Sequence, residues 1–128
     1  MDKEIKLSPL EREVIQKLLE GDDEAKEILR EQFRVATVLD RTVTDTGFYV
    51  DFSIPEDIQR LADREKLIIQ GIGAKIPSLA FDASFILFVK DGAINLLEGF
   101  AYEEPWPNRI DTFELFHEVY NRKPKGLE

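Results

Sequence analysis

The sequence predicts an α+β domain: an N-terminal helical hairpin, a mostly antiparallel sheet of about five strands, and a short C-terminal helix. Three observations carry that expectation. The first 33 residues repeat their apolar side chains at helical spacing. From residue 34 to about 102 the pattern changes to β-branched and alternating runs. Asp91-Gly92 then supplies the strongest short hairpin signal in the chain, the pair favoured in type I′ turns.

Ser8-Pro9-Leu10-Glu11 opens the first helix, with Ser8 as cap, Pro9 at the first helical position and Glu11 completing a capping box. Leu10, Val14, Ile15, Leu18 and Leu19 form one apolar stripe, and Gly21 ends the helix. Asp22-Asp23-Glu24 opens a second helix, where negative charge suits the amide end of the dipole. Its apolar face is Ala25, Ile28, Leu29 and Phe33, and the two helices are expected to lie antiparallel.

Residues 34–43, with Val35, Thr37, Leu39 and Val43, read as a strand. Asp45-Thr46-Gly47 is a turn. Phe48, Val50, Phe52 and Ile54 alternate with Tyr49, Asp51 and Ser53, a half-buried strand that Pro55 stops. Residues 56–66 read as a loop or short helical turn, and 67–72 as a third strand. Gly71 and Gly73 mark a bulge or a close approach of backbone. Ser84–Val89 is apolar on both faces, which places it centrally in the sheet. The next strand runs from about Ile94 to Tyr102. Asp111-Thr112 can cap a final helix with Phe113, Phe116, Val119 and Tyr120 at helical spacing. Leu127-Glu128 reads as a cloning remnant, which leaves 1–126 as a single domain.

Composition excludes several function classes. The chain has 128 residues, the size of one domain. It lacks cysteine, which removes disulfides, thiolate metal centres and a Cys nucleophile. No apolar run approaches a membrane span and no secretory pattern opens the chain, so a cytoplasmic protein is expected. The net charge of −9 argues against nucleic acid and anionic membrane as partners. Acid is concentrated in two places. Residues 1–33 carry ten acids against six bases, and residues 91–111 carry five acids against Arg109 alone, so a basic protein partner would be steered to those segments. No cofactor is expected. Gly71-Ile72-Gly73 lacks the third glycine and the helix of a dinucleotide fingerprint. The lone His117 has no second histidine for a metal site.

The candidate binding residues are Asp51, Glu98, Tyr102, Glu103, Glu104 and Trp106. Glu98 sits mid-strand among Leu96, Leu97, Gly99 and Phe100, so it must face water, meet a cation such as Arg41, or line a pocket. If Asp51 shares its face, the two form a carboxylate pair of the general acid/base kind. Tyr102-Glu103-Glu104-Pro105-Trp106-Pro107 is either an interface loop or a lid that returns Trp106 to the core, and the lid is favoured.

Two stretches carry a resemblance: Thr46-Gly47-Phe48-Tyr49-Val50-Asp51-Phe52, and Leu97-Glu98-Gly99-Phe100-Ala101-Tyr102 continuing through Glu103-Glu104-Pro105-Trp106-Pro107. With these the chain resembles a group of small acidic bacterial proteins of unknown function, over about 100 residues. The resemblance implies a fold and transfers no activity. Without a nucleophile elbow or other catalytic motif, the leading expectation is a non-enzymatic protein-binding module, of which an immunity- or antitoxin-like inhibitor is one concrete form. The rival is a small-molecule binder or hydrolase using Asp51 and Glu98 in a sheet-lined pocket. A homodimer formed through the sheet or the Trp loop is a third arrangement.

Overall fold

A computed structural model describes residues 5–64 and 66–119. Two helices, α1 (Pro9–Leu18) and α2 (Glu24–Val35), precede six strands: β1 (Thr37–Val43), β2 (Gly47–Ser53), β3 (Leu67–Lys75), β4 (Ala83–Lys90), β5 (Ala93–Phe100) and β6 (Glu114–His117). The strands form one antiparallel sheet in the order β1-β2-β5-β4-β3-β6. A hairpin (β1-β2) and a meander (β3-β4-β5) are therefore joined where β5 pairs with β2, and β4 and β5 occupy the middle.

The start of α1 is set by local chemistry. Ser8 Oγ accepts from the Glu11 N–H at 3.1 Å, and the Glu11 carboxylate accepts from the Ser8 N–H at 2.9 Å. Glu11 has a second role: it is buried and ion-pairs with Arg41 of β1. The cap therefore fixes the helix start and its attachment to the sheet together. Ser8→Ala is expected to lower stability by about 1 kcal/mol, read as a shift of the urea midpoint with an unchanged slope.

Both helices pack on one face of the sheet, α1 against β3 and β4 and α2 against β5. That face supplies Phe48, Val50 and Phe52 from β2, Phe85, Leu87 and Val89 from β4, and Ile94 and Leu97 from β5. Leu10, Val14, Ile15, Leu18 and Leu29 meet them from the helices. At roughly 2 kcal/mol for each fully buried large aliphatic or aromatic side chain, this interlayer dominates the favourable side of folding.

The Asp91-Gly92 turn closes β4 and β5 with both central residues at positive φ, 53° and 76°, as a type I′ turn requires. The fully buried Gln32 of α2 holds this turn in place. Its Nε2 donates to the carbonyls of Gln59 and Gly92 and its Oε1 accepts from the Ile94 N–H, each at 2.9 Å.

The predicted C-terminal helix is not formed. Residues 114–117 are strand β6, which raises the sheet to six strands. The same residues alternate with period two. Leu115 lies opposite Ala74 and His117 opposite Ile72, while Phe116 turns to the other face opposite Gly73. A ring atom of Phe116 comes within 2.6 Å of where a Cβ on residue 73 would stand. Pairing with β3 satisfies the backbone groups that this segment turns toward the sheet, which outweighs the weak helical preference of so short a segment. Val119, expected on an apolar helix face, is 92% exposed. Tyr120 and Pro124 lie outside the described residues.

Both edges of the sheet are irregular or short. β1 carries a bulge between Val38 and Asp40, with Leu39 displaced outward, and β6 spans only 4 residues.

Candidate binding face

Directly opposed residues of an antiparallel ladder share a face, so the register defines what lies opposite the helices. One cross-strand row there is Asp40, Asp51, Leu96, Phe88 and Ile68. The next is Thr42, Tyr49, Glu98, Ile86 and Gln70. The row beyond it holds Phe100, Ser84, Gly73 and Phe116. None of the described helices covers this face. Ile86, Phe88, Leu96 and Phe100 are half-buried by one another, and Ile68 is 63% exposed.

Acids stand at both ends of the face, Glu114 and Glu118 among them beside β3 and β4. Asp40, Asp51 and Glu98 occupy the β1-β2-β5 side. Lys66 and Lys90 stand where β3 begins and β4 ends, flanking a furrow of about 540 Å³ floored by Ile68, Phe88 and Leu96.

Asp51 and Glu98 thus share one face. Glu98 opposes Tyr49, two residues before Asp51, so the two carboxylates are diagonal neighbours. Neither makes a hydrogen bond or ion pair with another described residue. Of the three alternatives for Glu98, the pairing with Arg41 is not made. Arg41 opposes Val50 on the helix side, where it reaches the Glu11 carboxylate and the Lys6 carbonyl. Strand alternation puts the two on opposite surfaces of the sheet.

Tyr102 joins the open face. It is 47% exposed, stands edge-on to Phe100 with centroids 5.5 Å apart, and places its hydroxyl 2.7 Å from Ser84 Oγ. Ser84 also donates to the Glu118 carboxylate. Glu103 is exposed at a positive φ of 57°. Glu104 is occupied in holding a loop. Its carboxylate accepts the Ala80 and Phe81 N–H groups, each at 2.8 Å, and so fixes the segment before β4. Trp106 lies on the helix side. Its ring packs on Phe48 and Phe85 at 5.2 and 6.4 Å, and its backbone N–H donates to the Asp45 carbonyl. This is the lid arrangement. Trp106 also borders a cleft of about 360 Å³ beside Ser8, Glu11 and Arg41.

The face therefore unites Asp51, Glu98 and Tyr102 and leaves Trp106 behind it. Sequence reasoning missed Ile68, Ile86, Phe88 and Leu96. The signal was present in β4, which is apolar on both faces, in a chain whose two short helices can cover only one of them.

The fold and this face define the class: a two-layer α+β domain with one side of its sheet under helices and the other open. No known protein family, curated protein or solved structure matches the chain. The resemblance to small acidic bacterial proteins rests on its quoted motifs alone. Among the described residues no group of three His, Asp or Glu side chains is placed to hold a metal ion, and no helix is long and apolar enough to cross a membrane.

Proposed function

We propose that the chain is a protein-binding module that works through the open face of its sheet. The supporting observation is the row Ile68-Phe88-Leu96 beside the carboxylates Asp51 and Glu98, which are unpartnered among the described residues. Contiguous apolar surface rimmed by charge marks interaction sites in soluble proteins. Its partner is a polypeptide that offers an apolar surface with basic groups at one side, and an inhibitor of a basic protein is one form of that role. The clefts described above exclude Asp51 and Glu98, which weighs against the carboxylate-pair hydrolase.

The test is site-specific photocrosslinking in cells at position 88, with position 13 on the outer side of α1 as control. Adducts with a polypeptide at 88 and not at 13 are expected. Equal labelling at both positions, or none at 88, overturns the reading.

A further inference from the structure

Asp51 and Glu98 are half-buried on the open face and meet no cation among the described residues. A carboxylate partly withdrawn from water gains from a nearby positive charge. The chain itself supplies one. Past the described residues it continues as Tyr120-Asn121-Arg122-Lys123-Pro124-Lys125, an aromatic ring and three bases without an acid, in a protein of net charge −9. Its point of departure is on this face. The Glu118 N–H donates to the Gly71 carbonyl, and the Glu118 carboxylate accepts from Ser84 on the open side of β4. Gln70, next to Gly71, begins the cross-strand row that runs through Ile86 to Glu98 and Tyr49.

We infer that residues 120–125 of the same chain turn across the open face along this row, with Tyr120 over Ile86, Arg122 at Glu98 and Lys123 at Asp51. The reach is sufficient. Glu98 lies three strands from β6, about 14 Å at about 4.8 Å per strand. Arg122 follows Glu118 by four residues, about 13 Å of extended chain, and its side chain spans the remainder. Asp51 is one strand further on, and Lys123 one residue further. Charge selects this path over the alternative. Straight continuation of the β6 register along β3 would set Arg122 beside Leu67 and Lys123 beside Lys66. Lys66 and Lys90 also flank the furrow at that end of the face. Like charges repel, so both lysines favour the turn toward the acids on β5 and β2. The docking stands without the reading of this face as a protein-binding surface, but its regulatory consequence rests on that reading. The segment offers what the proposed partner offers, an apolar group with bases beside it, so a partner must first displace it.

Zero-length carbodiimide coupling of the full chain tests the docking. The reagent activates a carboxylate, and the amine of an adjacent lysine displaces it as the urea, leaving an amide; the two side chains lose one water between them, which the reagent takes up. Lys75 and Asp82, 3.9 Å apart, are the internal positive control. Peptide mapping is expected to find Lys123 or Lys125 joined to Glu98 or Asp51 within one molecule, established with mixed light and heavy isotopic copies. Coupling to Glu13, Glu24 or Glu27 of the helices is expected to be about tenfold rarer. At about 1 M salt, where the Debye length is about 3 Å, the product is expected to fall away. Coupling to the helix acids as often as to Glu98 and Asp51, products only between molecules, or no product beyond the Lys75–Asp82 control overturns the docking. The full-length variant R122E/K123E/K125E then tests the consequence: its photocrosslinking to a polypeptide through position 88 in cells is expected to rise about fivefold. Unchanged crosslinking in that variant overturns the regulatory role alone. If position 88 crosslinks nothing in either form, the binding-face reading falls, while the docking is decided by the coupling result.

Discussion

Gly47→Ala is expected to unfold the protein, or to lower its stability by about 3 kcal/mol or more. A Cβ at position 47 would stand 2.1 Å from the Gly99 carbonyl oxygen and 3.0 Å from the Phe100 Cα. Both are backbone atoms of the central strand β5, held on one side by β2 and on the other by β4. Neither can retreat without breaking a ladder. The opposing position is equally crowded: Phe48 lies across Gly99, and its ring is in turn held by Phe85 and Trp106. The chain has one Trp, in contact with this cluster, so its fluorescence during urea unfolding reports the change directly. A midpoint within experimental error of wild type would show that β2 and β5 can separate at this point without loss.

Gln32→Leu is expected to cost about 3 kcal/mol, more than most substitutions of a single polar side chain. Leu has similar bulk, so packing around α2 is largely kept. The loss is the buried Ile94 N–H, which then has no acceptor, together with two donors to the Gln59 and Gly92 carbonyls. The Gly92 carbonyl retains the Leu61 N–H at 2.9 Å, which softens the effect at that atom. Hydrogen exchange at Ile94 distinguishes this account from general loosening. Its amide should lose protection beyond the global change, while amides of α1 should follow the global value. Uniform loss across the sheet would contradict it.

Much of the architecture was legible because short-range rules acted alone. The Ser8–Glu11 box, the Asp91-Gly92 turn and the alternation of Phe48 through Phe52 depend on neighbours in sequence, and each appears where expected. Residues 114–117 are ambiguous in sequence because period 2 and period 3.6 both fit a segment so short. The deciding influence, an available edge on β3, is a long-range fact. The candidate site divides in the same way. That Asp51, Glu98 and Tyr102 lie on one surface follows from strand parity together with the β2–β5 register, and the register is invisible until β5 is known to neighbour β2. Trp106 was drawn to the core by Phe48, a residue 58 positions earlier in the chain. The open apolar row is not visible in any one strand. Only the number of covering helices set against the two sides of the sheet reveals a surplus.

The displaced Leu39 and the four-residue terminal strand have a consequence for solution behaviour at high concentration. An open sheet invites neighbouring molecules to extend it sideways, strand by strand, and that route leads to fibres. Here one margin is kinked and carries Asp40 and Arg41, and the other ends too soon to template a full strand. Sideways growth is discouraged at the β1 margin, while on the far side β6 shields Ile72–Lys75 and leaves Leu67–Gln70 of β3 as the stretch where a further strand could add.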